Sequence, residues 1–171
     1  MDLIPSFAVD HTKIVPGIYI SRIDIVAGQE ITTYDIRMKL PNQEPAINPA
    51  AMHSIEHLAA TYLRNDPFWK EQLVYWGPMG CMTGCYMITK SRLSCEKIRE
   101  GLIKVMQFVL DYEGEVPGTD ITQCGNHLMH DLPMAKWECK QYLDRLTNAF
   151  CCHYPTVERK NTKDGAKFFD A

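Results

Sequence analysis

Between residues 49 and 64 the apolar positions Ala51, Ile55, Leu58, Ala59 and Tyr62 recur at the spacing of one helix face, with polar residues filling much of the opposite side. Asn48 is a good N-cap, Pro49 suits the first helical position, and Asn65 with Pro67 supplies a stop, so a helix is predicted over about 49–64. Two more helices follow from the same period. One runs from Ser94 to about Tyr112, with Ile98, Leu102, Val105, Met106 and Val109 as its stripe; the other runs from about Asp131 to Thr147, where Leu132, Ala135, Cys139, Tyr142, Leu143 and Leu146 share a face. Cys95 and Cys139 are therefore read as packing residues. Earlier in the chain the period shortens to two. Ile18 to Ile25 and Ile31 to Leu40 read as strands joined through Ala27-Gly28-Gln29, with Tyr34, Ile36, Met38 and Leu40 facing the core. Asp35, Arg37 and Lys39 take the other face, where solvent exposure is the ordinary expectation. Leu73 to Trp76 and Cys85 to Ile88 are two further strand-like runs around a glycine-rich loop.

A chain of 171 residues, 46% of them hydrophobic, is large enough for one domain with a core of its own. A net charge of -3 without a long basic block speaks against a nucleic-acid groove or an anionic-membrane surface, and small-molecule chemistry fits better. The first 17 residues lack the basic lead and apolar run of a signal peptide, and no later segment is long enough to span a membrane, so a cytoplasmic protein is expected. Seven cysteines cannot all pair within the chain, and a reducing compartment is the simpler assumption.

Chemistry concentrates on the first helix. In His53-Ser54-Ile55-Glu56-His57 the two imidazoles lie about 40° apart on the side away from the apolar stripe, and Glu56 lies about 60° round from His53. Two surface histidines are one reading of that pair; a metal with a base beside it is the other, and the order His, two residues, Glu, His is itself a metal motif. A third ligand is needed. Cys81, within Gly77-Pro78-Met79-Gly80-Cys81-Met82-Thr83-Gly84, and Cys124, within Thr122-Gln123-Cys124-Gly125-Asn126, both offer one, and glycines beside Cys81 allow close approach of its sulfur to a ligand. Two imidazoles and one thiolate leave a fourth position open, as catalytic sites require, and this donor set by itself suggests zinc.

From about Ser6 to Leu146 the chain resembles the S-ribosylhomocysteine lyases, the LuxS family. The resemblance is carried by Ser6-Phe7, Asp10-His11, Asp35-Ile36-Arg37, His53-Ser54-Ile55-Glu56-His57-Leu58, Pro78-Met79-Gly80-Cys81-Met82-Thr83-Gly84, Gln123-Cys124-Gly125 and His130-Asp131-Leu132, in that order. It implies His53, His57 and Cys124 as ligands of one divalent metal per subunit, with ferrous iron favoured and zinc as a substitute. It implies Cys81 and Glu56 as the acid/base residues and Arg37 as a residue lining the site; Arg64 is a further candidate for contact with substrate. The implied assembly is a homodimer with sites at the interface, where Ser6 and His11 of one chain help to close the site of the other. The implied reaction cleaves the thioether of S-ribosylhomocysteine to homocysteine and 4,5-dihydroxy-2,3-pentanedione, a quorum-signal precursor, through successive carbonyl shifts and β-elimination.

The expected fold is α+β, an antiparallel sheet with helices on one face, similar to the inverted-motif metallopeptidases. Those peptidases are the competing enzyme reading, although their third ligand is usually a downstream glutamate. A non-catalytic metal-binding protein is the other alternative, and it has no need of Cys81 or Arg37. Two features depart from the family. Tyr75-Trp76-Gly77 stands where some members carry an acidic residue, which bears on contacts to the substrate's amino-acid end, and Cys85, read as a strand residue, stands where an aromatic is common. The expected organisation is one domain over 1–150 and a weakly held tail over 151–171.

Overall fold

A computed structural model describes residues 9–155. Its elements are β1 (Gly17–Val26), β2 (Gln29–Arg37), α1 (Pro49–Asn65), α2 (Trp69–Gln72), β3 (Leu73–Pro78), β4 (Gly84–Thr89), α3 (Cys95–Asp111) and α4 (Leu132–Asn148). The strands form one antiparallel sheet in the order β1-β2-β4-β3. The fold is α+β, as expected. The four-residue α2 was not anticipated, because so short a segment has no period to read.

Alternation sorts the side chains of the sheet. Ile18 pairs across to Ile36 and Ile36 to Cys85, while Ile20 pairs to Tyr34, Tyr34 to Met87 and Met87 to Trp76. These residues are buried in one hydrophobic cluster with Ile55, Leu58 and Leu63 of α1, Ile98, Leu102 and Val105 of α3, and Ala135, Cys139 and Tyr142 of α4. All three long helices thus pack through the predicted stripes. Their starts are capped by side chains as the local sequence prescribes: Asn48 accepts from Ala50 N–H at 2.9 Å, Ser94 from Lys97 N–H at 3.2 Å, and Asp131 from Met134 N–H at 2.9 Å.

The second face of the sheet departs from expectation, since Asp35, Arg37 and Lys39 are only 3%, 3% and 6% exposed. Lys39 is held by Glu138 of α4 at 2.7 Å, both side chains being nearly excluded from solvent. Removing one partner of such a pair strands the other charge. Glu138→Ala is therefore expected to destabilise the protein by about 3–5 kcal/mol in equilibrium urea unfolding, and a loss near zero would mean that Lys39 reaches water.

Cys95 corrects a second expectation. It is not only a packing residue but is joined by a disulfide to Cys152, 57 residues away, because the first turn of α3 faces the chain leaving α4. Cys151 carbonyl accepts from Ile18 N–H at 2.9 Å, and the Tyr154 ring stacks on Tyr19 with centroids 4.5 Å apart. The segment after α4 thus begins fastened to β1; residues 156–171 lie outside the described residues. No helix among the described residues is long and apolar enough to cross a membrane.

Candidate metal centre and catalytic cysteine

His53 and His57 project from one side of α1, away from the stripe that Ile55 and Leu58 bury. The chain leaving α3 covers them, and its end is fastened to α1: Asp131 N–H donates to Ser54 Oγ at 2.9 Å and to Ala50 carbonyl at 3.2 Å. This docking brings Cys124 and His130 over the histidine pair. The donor atoms of His53, His57, Cys124 and His130 all lie within 4.8 Å of one another. Cys124 Sγ is 3.6 Å from His53 Nε2, 3.8 Å from His130 Nε2 and 4.0 Å from His57 Nε2. A tetrahedral ion with ordinary Zn–N and Zn–S bonds spaces its donors by about 3.4–3.6 Å, so the group is close to a coordination shell without rearrangement.

Hydrogen bonds at the far ring nitrogens fix the tautomers. His53 Nδ1–H donates to Met129 carbonyl at 2.9 Å and His57 Nδ1–H to Pro117 carbonyl at 2.8 Å; a carbonyl only accepts, so each Nε2 presents its lone pair to the centre. The same holds for His130. Ser54 Oγ spends its one proton on Ala50 carbonyl at 3.0 Å, so His130 Nδ1–H must be the donor in its 3.3 Å contact with that oxygen. Burial and the neighbouring imidazoles His53 and His57 hold the His130 pKa below the usual histidine value, which favours the neutral form that binds metal. Gly118, at φ +74°, lets the chain turn tightly beside His57: an added Cβ would stand 3.3 Å from His57 Nδ1. These residues fit a divalent metal, and the site is a metal-binding site.

His130 was not singled out as a ligand in the sequence. It opens one of the motifs that carry the family resemblance, but its place immediately before Asp131, the cap of α4, reveals nothing of a ring reaching α1. Of the two candidate cysteines, the donor cluster takes Cys124.

Cys81 belongs to a second group. The loop after β3 hangs on the entry to α1, where Ile47 N–H donates to Met82 carbonyl at 2.8 Å, and Met82 itself is held at φ +54°, an uncommon backbone for a residue with a side chain. Gly84 opens β4 at a point where a Cβ would fall 2.1 Å from Ile36 carbonyl, so only glycine lets the loop return against β2. That return sets Cys81 and Thr83 beside Arg37. Arg37 Nη1 donates to Thr83 Oγ1 at 2.6 Å and lies 3.8 Å from Cys81 Sγ; Thr83 Oγ1 is 3.0 Å from the same sulfur. The guanidinium supplies the proton to the threonine oxygen, which leaves the hydroxyl proton free for the sulfur. Burial acts to raise the Cys81 thiol pKa, but the Thr83 hydrogen bonds and the Arg37 charge outweigh it and hold the thiol below its ordinary range. Arg37 is fixed in turn by Asp35, which accepts from Nε at 3.1 Å and from Nη2 at 2.6 Å.

Glu56 faces a cavity of about 380 Å³ that it shares with His57, Arg64, Tyr75 and Trp76. Arg64 Nη2 donates to Val74 carbonyl at 3.3 Å. Trp76 Nε1 is buried and has no hydrogen-bond partner among the described residues. His11 Nδ1–H donates to Val9 carbonyl at 2.9 Å and joins neither the donor cluster nor the Arg37 group within its own chain. Ser6 lies outside the described residues.

The family model described as S-Ribosylhomocysteinase (LuxS) matches residues 4–150. The S-ribosylhomocysteine lyase of Phocaeicola vulgatus is 53% identical over 161 residues, covering 92% of this chain and 100% of the relative. The enzyme of that name from Porphyromonas gingivalis is 50% identical over 143 residues (84% of this chain, 90% of the relative), and that from Clostridium beijerinckii is 44% identical over 144 residues (84% and 91%). With most of its length matched by the family and by full-length relatives, the chain belongs to the S-ribosylhomocysteinase (LuxS) family.

Proposed function

We propose that this chain is a metal-dependent lyase that cleaves the thioether of S-ribosylhomocysteine to homocysteine and 4,5-dihydroxy-2,3-pentanedione. The observation that carries the reading is the pairing of a three-histidine, one-cysteine donor cluster with a separate cysteine that Arg37 and Thr83 activate. A metal-storage protein has no use for that second cysteine. A peptidase of the inverted-motif kind draws its third ligand from a glutamate, and this cluster contains none.

The metal, when bound, acts as a Lewis acid on a sugar carbonyl and makes the adjacent C–H acidic. The remaining work is proton transfer by the chain. Cys81, as a thiolate beside Arg37 and Thr83, takes the carbon proton and returns it one carbon along, so the carbonyl moves down the sugar. Glu56 moves protons between oxygens and assists the final β-elimination, in which the C–S bond breaks and homocysteine leaves as a thiolate. Substrate and products have the same atoms in total, so neither water nor a redox cofactor is consumed. The amino-acid end is assigned to the cavity lined by Arg64, Tyr75 and Trp76, where Arg64 offers a charge for a carboxylate.

His53, His57 and Cys124 are the standing ligands in this reading. His130 would be the weakest-held of the four donors that could hold the ion, since its ring hangs on a side-chain hydroxyl whereas those of His53 and His57 hang on backbone carbonyls. His130→Ala should therefore keep stoichiometric metal by elemental analysis and lose it faster to a chelator; a metal-free variant would make His130 a standing ligand. Ferrous iron is the proposed native ion, with zinc as a substitute. The proposed setting is a cytoplasmic homodimer whose partner supplies Ser6 and His11, with one domain over 1–150 followed by the 151–171 tail and a product that feeds a quorum signal. In that setting the Cys95–Cys152 bond is an exception to the usual reduced state of cytosolic thiols.

The direct test is homocysteine release from S-ribosylhomocysteine by anaerobically purified, metal-analysed protein. Absence of thiol release from fully metallated protein would overturn the reading. Glu56→Gln should retain metal and build up a keto intermediate, and solvent deuterium should enter the recovered sugar; in Cys81→Ala it should not.

A further inference from the structure

The chain beyond residue 150 lies outside the family match, yet it reaches the group that surrounds Cys81. Tyr154 Oη–H donates to Asp35 Oδ2 at 3.0 Å, and that same oxygen accepts from Arg37 Nη2 at 2.6 Å. Asp35 and Arg37 side chains are 5% and 4% exposed. A linked series of contacts thus runs from Tyr154 through Asp35 and Arg37 to Thr83 Oγ1 and Cys81 Sγ. Register explains how it forms. Tyr19, Asp35 and Tyr86 are paired across β1, β2 and β4 on the face away from the helices, and Tyr154 stacks on Tyr19 with its ring planes 12° apart. The segment is pinned on its near side by Ile18 N–H to Cys151 carbonyl and by the Cys152–Cys95 disulfide.

We infer that Tyr154 is a positioning residue for Cys81, its hydroxyl orienting and partly neutralising the Asp35 carboxylate so that Arg37 presents its free edge to Thr83 and the Cys81 sulfur. The inference rests on the catalytic role proposed for Cys81 only where turnover is concerned; its effect on the thiol stands apart. Arg37 has one guanidinium to divide between an aspartate and a sulfur. With the Tyr154 hydroxyl in place, Asp35 shares its charge between two donors. Without it, the carboxylate draws the guanidinium more strongly and its unscreened charge opposes a thiolate nearby. Burial first, then the Asp35 charge, pushes the Tyr154 pKa far up, so the phenol remains a donor throughout the working range. The titratable groups around the thiol are Arg37 and Asp35 on β2, Tyr86 on β4, and Tyr154.

Tyr154→Phe keeps the ring on Tyr19 and removes only the hydroxyl. In the metal-loaded protein, the pH profile of iodoacetamide alkylation at Cys81, followed by mass spectrometry of its peptide, should move to higher pH. The rate at neutral pH should fall by about threefold to tenfold, a unit of pKa being a factor of ten in thiolate. Turnover should lose kcat with KM and metal content unchanged. Tyr19→Phe is the control, since its hydroxyl donates to Val15 carbonyl at 2.7 Å rather than to Asp35; it should leave the alkylation profile in place. An unmoved profile in Tyr154→Phe, or an equal shift in both variants, would overturn the inference. A shifted profile without any lyase activity in the wild type would sustain it and remove the catalytic reading instead.

Discussion

Replacing Cys81 by alanine is expected to cut homocysteine release by roughly 10²-fold to 10⁴-fold while metal content and fold remain intact, the loss typical of a positioned acid/base group. The structure supports the separation of effects. Cys81 is not among the donors around His53 and His57, and its polar contacts are with Thr83 of its own loop and Arg37 of β2. The side chain is small and its residue is exposed, so truncation opens no core cavity. Release at the wild-type rate in a steady-state thiol assay would leave the metal cluster without its proposed partner, and a binding or peptidase role would then have to be taken up.

A larger effect is expected at the cluster itself. His57→Ala should lose metal and activity together, with affinity falling by more than the roughly 10-fold to 100-fold that follows loss of an outer-shell partner. His57 has its tautomer fixed by Pro117 carbonyl, and its Nε2 is one of the four converging donors. Metal titration against a chromogenic chelator reads the change directly. Full occupancy in that variant would take His57 out of the coordination sphere. Because the ion binds the folded protein, the variant should also unfold at a lower temperature in the presence of metal than the wild type does.

Much of this was legible in the chain. The first helix could be read almost to its ends because cap, proline, stripe and stop all agree, and its polar side followed from the same period, which is why His53 and His57 were found together. Long-range packing was not legible. Choosing Cys124 over Cys81 as the ligand required a family resemblance, since two lone cysteines in loops look alike locally. His130 escaped because its place is set by Asp131 docking on Ser54, 77 residues away. Arg37 seemed to belong on a solvent face because alternation identifies which side of a strand a residue occupies, not whether another segment covers that side. Tyr154 was hidden for the same reason: it lies in a stretch whose adjacent cysteines and polar continuation resemble a loose tail, and only the fold brings its hydroxyl to Asp35.

The rings of His53 and His57 are held in place by main-chain carbonyls of Met129 and Pro117. Every residue type carries that acceptor, so no side-chain replacement at 117 or 129 can delete it. Evolution of the covering segment is thereby constrained in path and length far more than in letters: an insertion between α3 and α4 would carry the acceptors away, whereas many substitutions would leave both tautomers unchanged. Gly118 is the exception, because its backbone angle is what draws that path against His57.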